Sequence, residues 1–158
     1  MDELPITLAG KLKLEAELSQ LVKVEREELK VAISEARELG DLKENAEYHA
    51  AKEKQGIIEG RIAQLQGIMA RSRVVEVSKI KSTKIVFGAT VRLLDVAKDS
   101  NITYKIVGED ESDIRDNKIS FTSPLGKALI GKEEGDTVIV KAPKGDIEYE
   151  IESFEFID

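Results

Sequence analysis

The chain has no cysteine, no tryptophan and a single histidine, and four Phe with three Tyr are its only aromatic residues. Without thiols neither a disulfide nor a thiolate metal site can form, which fits a reducing cytoplasm. One histidine allows no Cys/His metal cluster and leaves no serine nucleophile with a second histidine-like base. No glycine-rich phosphate loop follows a strand, and Gly131-Lys132 runs on into Glu133 rather than Ser or Thr, so there is no P-loop. The chain also lacks a run of about 18 apolar residues and a charged-then-apolar leader, so a soluble protein with no membrane span and no secretory signal is expected. An excess of positive charge is missing as well. The formal net charge is −7, with 13 basic and 15 acidic side chains in residues 1–79 and 11 and 16 in 80–158. Neither half is a basic module, so stable independent binding of nucleic acid is not expected. A self-sufficient enzyme is hard to build from this inventory.

What is present divides into two hydrophobic periods. From Thr7, a plausible N-cap just after Pro5, to about Arg73 the chain is rich in Leu, Glu, Lys and Ala. Steps of three and four trace one seam through Leu18, Val22, Glu25, Leu29, Ala32, Ala36 and Leu39, and a second through Tyr48, Ala51, Gln55, Ile58, Ile62, Leu65 and Met69. The connection is short, so the spacing predicts two helices folded back as an antiparallel coiled-coil hairpin with a slender tip lined by Ala32, Ala36, Ala50 and Ala51. Some thirty helical residues would make an arm of roughly 45 Å. After Val74 the period changes to two. Strands are expected at 74–77, 89–96, 101–108, 118–121, 137–142 and 147–156, with a short helix over SPLGKALIG capped by Ser123 and ended by Gly131. The reading is α+β in two domains, a hairpin over 1–79 and an antiparallel sheet with one short helix over 80–158.

GDLKEN, residues 40–45, sits in the connection. Gly40 suits the C′ position of the first helix. Asp41 is expected to cap the second helix, with Glu44 at N3 reaching back as in a capping box. Placed at the end of an arm, the same two carboxylates can share Mg²⁺, which takes one or two protein carboxylates and keeps water or phosphate for the rest of its shell. A partner must supply what two ligands cannot. Arg37, Lys43 and Lys52 lie nearby and can bind phosphate or simply be solvated cations, and His49 reads as a packing residue of the hairpin.

GDLKENAEYHAAKEKQGIIEGRIAQL, residues 40–65, closely resembles the signature of the bacterial transcript cleavage factors GreA and GreB. ISFTSPLGKALIGKEEGDTV, 119–138, resembles their second signature, and IVGEDESD, 106–113, is similar too; the likeness covers essentially the whole chain. The modestly basic hairpin is closer to the GreA branch. The resemblance implies an N-terminal coiled-coil hairpin and an FKBP-like C-terminal domain. The implied partner is backtracked bacterial RNA polymerase, whose secondary channel admits the hairpin as far as the active centre and the extruded RNA 3′ end. It implies that Asp41 and Glu44 help hold a second Mg²⁺ jointly with the polymerase and orient water for endonucleolytic cleavage, with none bound by the isolated protein. The family's RNA-contacting basic positions fall on Arg37 and Lys52, and its contact at the channel mouth on Ser123, Pro124 and Leu125. Lys52 stands where some relatives have Arg and lacks the planar fork for a bidentate phosphate contact.

The resemblance leaves two other readings open. One is a non-catalytic secondary-channel module that modulates or inhibits transcription, against which the intact Asp41 and Glu44 argue. The other is a prolyl isomerase or chaperone, against which the absence of Trp and the few aromatics after residue 80 argue.

Overall fold

In the computed structural model, which describes residues 3–158, Thr7 caps the first helix as expected: its Oγ1 accepts from the N–H of Gly10 at 3.0 Å. Helix α1 (Leu8–Gln20) runs through a π turn, Leu21–Glu25, into α2 (Arg26–Glu38), and α3 (Ala46–Arg71) folds back along it. The 26 residues of α3 make about 39 Å of helix. Leu14, Leu21, Leu29 and Ala36 are buried on one side, and Ile58, Ile62, Leu65 and Ile68 on the other.

This seam differs in detail from the expected one. Ala32 and Ala50 are exposed, and Ile33 is the half-buried residue between Leu29 and Ala36. Steps of three and four admit either 32 or 33, and burying isoleucine removes more apolar area from water than burying alanine. Buried positions are seven apart from Leu14 to Leu21 and from Leu29 to Ala36, but eight apart across the π turn. The wider turn absorbs the extra residue and keeps Leu29 facing the partner helix. Leu39 lies past the end of α2 and is 66% exposed.

Two bidentate ion pairs set the register between the helices. Arg26 Nε and Nη2 donate to Glu59 at 2.9 and 2.7 Å, and Arg61 Nε and Nη2 donate to Glu17 at 2.8 and 2.9 Å. The bond to Glu59 holds the Arg26 guanidinium above its ordinary pKa. Both pairs meet water, so they stabilise little and serve mainly to fix orientation.

The first strand was not expected. β1 (Leu4–Thr7) pairs parallel with β2 (Ser72–Val75), the strand read at 74–77. The chain therefore divides into one unit made of the residues up to Gly10 with Ser72–Asp158, and another of Lys11–Arg71. That differs from the expected division at 79/80, because β1 and β2 pair with each other and Glu111 holds the start of α1. Its carboxylate accepts from the N–H groups of Thr7 at 3.1 Å and Gly108 at 2.8 Å and from the Thr7 hydroxyl.

The other strands fall where the period of two places them: β3 (Thr90–Asp95), β4 (Ser100–Val107), β5 (Lys118–Ser120), β6 (Thr137–Ala142) and β7 (Gly145–Glu155). They form one sheet in the order β5-β4-β3-β7-β6. It is mixed rather than antiparallel, since β5 runs parallel to β4. The cause is residues 109–117, which form two 3₁₀ turns and carry the chain back instead of closing a hairpin. Helix α4 (Pro124–Leu129) covers this sheet, and Leu129 joins Ile85, Val91, Leu93, Ile106 and Ile151 in a fully buried core. Partial burial pushes the Tyr104 and Tyr149 phenols up. Among the described residues no helix is long and apolar enough to cross a membrane.

Candidate functional site

The connection between α2 and α3 is built by short polar bonds. Gly40 takes φ +121°, a left-handed backbone that suits glycine, and lets the chain leave α2. Asp41 then makes a local turn, its Oδ1 accepting from the N–H of Lys43 at 2.9 Å. It does not cap α3. That position belongs to Asn45, whose Oδ1 accepts from the N–H of Tyr48 at 3.0 Å, and whose Nδ2 donates to the carbonyl of Ala36. One side chain thus closes the end of one helix and the start of the next. The expected capping box of Asp41 and Glu44 is absent because residues 41–44 lie before the first turn of α3, and an Asx turn competes with a helix start.

The consequence is that both carboxylates are left for other work. Asp41 and Glu44 are exposed, Asp41 keeps Oδ2 unused, and Glu44 makes no hydrogen bond or ion pair among the described residues. Replacing Asn45 by Ala should lower hairpin stability by about 1–2 kcal/mol, a lost cap plus the loss of one of the two bonds to the Ala36 carbonyl, which keeps only the N–H of Leu39. An unchanged urea midpoint for loss of helicity would contradict the double role of this residue.

Next to the tip the helices frame a furrow lined by Lys30, Ile33, Ser34, Arg37, Lys52 and Gln55. Both basic residues named from the signature, Arg37 and Lys52, line it. Arg37 lies 5.8 Å from the centroid of the Tyr48 ring, a cation–π distance, and Lys52 Nζ donates to Gln55 Oε1 at 2.9 Å. Lys30 Nζ is taken by Glu27 at 3.0 Å, so Arg37 and Lys52 are the two cations of the furrow not paired with a carboxylate among the described residues. His49 sits at the tip as well, its Nε2 2.9 Å from the carbonyl of Lys43. Its residue type gave no signal of this contact, because the bond runs to backbone six positions earlier.

The second set, Ser123, Pro124 and Leu125, starts α4. Ser123 Oγ accepts from the N–H of Gly126 at 3.1 Å and donates to the carbonyl of Ser120 at 2.6 Å, Pro124 occupies the first turn, and Leu125 packs on the core. Ser123 and Leu125 are therefore taken up by the fold, and Pro124 is the exposed member.

No group of three or more His, Cys, Asp or Glu residues able to hold a metal exists among the described residues. Two oxygen donors at an open tip match the preference of Mg²⁺ for carboxylates, but only as part of a shared shell.

Comparison with known proteins gives matches along nearly the whole chain. Residues 4–74 match the family model described as "Transcription elongation factor, N-terminal", and 80–156 match "Transcription elongation factor, GreA/GreB, C-term". The chain is similar to the transcription elongation factor GreA of Thioalkalivibrio sulfidiphilus, 52% identical over 158 residues covering 99% of this chain and 100% of that one. It is 56% identical over 151 residues to the GreA of Hyphomonas neptunium, covering 96% of each. Among solved structures it is similar to the GreA factor homolog 1 protein of Thermus thermophilus, with 28% identity, a TM-score of 0.45, and coverage of 97% of this chain and 99% of that one.

Proposed function

Because the chain belongs to the GreA/GreB family of transcription elongation factors, we propose that it acts on backtracked bacterial RNA polymerase as an accessory factor. The hairpin enters the secondary channel, and the tip stimulates endonucleolytic cleavage of the RNA 3′ end, which restarts the arrested complex. The observation that carries this reading is the pair of exposed carboxylates on the turn that joins two paired helices, Asp41 with one oxygen unused and Glu44 with both.

The roles follow from the bonds at the tip. Asp41 spends one oxygen on the turn and offers the other, while Glu44 offers both. Mg²⁺, when bound in the complex, supplies charge to an attacking water and to phosphate oxygens. Arg37 and Lys52 border the furrow along which an RNA phosphate would lie, Arg37 steadied by Tyr48 and Lys52 by Gln55. Around α4, Pro124 is the residue free to meet the polymerase at the channel mouth, with Ser123 and Leu125 shaping the surface that presents it.

Two carboxylates do not close a metal site, so the chemistry is borrowed. The purified protein with Mg²⁺ should leave RNA intact, whereas addition to a stalled, backtracked elongation complex should release short 3′ fragments. RNA cutting without polymerase would overturn the shared-site mechanism. No acceleration in the complex would leave only a binding role.

A further inference from the structure

We propose that His49 is a positioning residue that sets the geometry of the two tip carboxylates, a role that rests on the function proposed above. A carbonyl oxygen can only accept, so in the 2.9 Å contact between His49 Nε2 and the Lys43 carbonyl the ring nitrogen carries the proton. The Lys43 carbonyl shares one planar peptide unit with the nitrogen of Glu44. Fixing that carbonyl therefore fixes the plane from which Glu44 departs. On its other side Lys43 gives its N–H to Asp41 at 2.9 Å. The backbone of Lys43 is thus held from both sides, by a carboxylate that is itself one of the functional pair and by a ring anchored one turn into α3. His49 can serve as an anchor because its own N–H bonds the Asn45 carbonyl at 3.1 Å and its ring meets Tyr48 edge-on, with centroids 5.7 Å apart. Glu44 has no other tether, since its carboxylate makes no bond among the described residues.

The decisive comparison is His49→Ala against His49→Gln. Glutamine carries an N–H donor the same number of bonds from Cα as histidine Nε2, whereas alanine carries none and favours helix. In the free protein, ¹⁵N relaxation should show rigid Lys43 and Glu44 amides in the natural chain and in His49→Gln, with order parameters near 0.85, and a fall below about 0.6 in His49→Ala. In the backtracked complex, His49→Ala should slow cleavage roughly tenfold with unchanged polymerase binding, and His49→Gln should restore most of the rate. Rigid amides in His49→Ala, or equal losses in both variants, would overturn the assignment. Including Asp41→Asn separates the two ideas. If that variant and Glu44→Gln both cleave normally the metal-sharing function fails, whereas if they are inactive and His49→Ala is not, only the positioning role fails.

Discussion

Asp41→Asn and Glu44→Gln are each expected to reduce polymerase-dependent RNA cleavage by roughly a hundredfold or more, with helicity and polymerase binding unchanged. The structure makes this separation clean. Asparagine keeps the oxygen that accepts from the Lys43 N–H, so the turn survives, and the helix cap is supplied independently by Asn45. Glu44 makes no bond that glutamine could lose. Neither substitution therefore carries a folding cost comparable with its expected kinetic effect. What each would remove under the proposed mechanism is a charged ligand, because an amide oxygen binds Mg²⁺ less strongly than a carboxylate. A cleavage assay on a stalled complex, with binding measured by competition, decides the matter. Wild-type rates in both variants would remove the tip from the chemistry.

Gly126→Ala should destabilise the sheet unit with a single methyl group. A Cβ on Gly126 would sit 2.2 Å from the Ser120 carbonyl and 3.0 Å from Ser123 Oγ. The nearest atom is backbone, so it cannot swing aside. The clash falls on the oxygen that Ser123 Oγ uses at 2.6 Å and on the N–H that this hydroxyl caps at 3.1 Å. The strain should cost about 1–3 kcal/mol, and displacement of α4 should weaken polymerase binding while the tip is untouched. Thermal unfolding with a binding measurement tests this, and a variant with natural melting and affinity would show that the 120–126 turn adapts freely.

The parts of this molecule legible in the sequence are those governed by local periodicity and local caps. Thr7 and Ser123 each cap the helix they were expected to cap, and the alternation of Val91, Leu93, Ile106 and Ile151 placed the strands and the buried core. Long-range pairing was not legible. β1 is only four residues long and contains Pro5, and its strand character comes from β2, which lies more than sixty residues away. The parallel pairing of β5 with β4 depends on the path of residues 109–117, not on the alternation within either strand. At the tip, the composition of GDLKEN and the resemblance drew attention to Asp41 and Glu44, but Asp41 and Asn45, four positions apart, both suit the N-cap. Which one caps is decided by where the α2 carbonyls end, because Asn45 alone satisfies Ala36 and Tyr48 together.

That double bond of Asn45 also shapes the electric field at the tip. It brings the carbonyl end of α2 and the N–H end of α3 to the same side chain, so two opposed macrodipole termini of about half an elementary charge each lie close together. Their fields largely offset one another beyond the turn. An approaching cation therefore meets no helix end that attracts or repels it strongly. The attraction is left to side-chain carboxylates, and the tip's charge can be rewritten by substituting Asp41 and Glu44, which lie between the helices, without altering either helix.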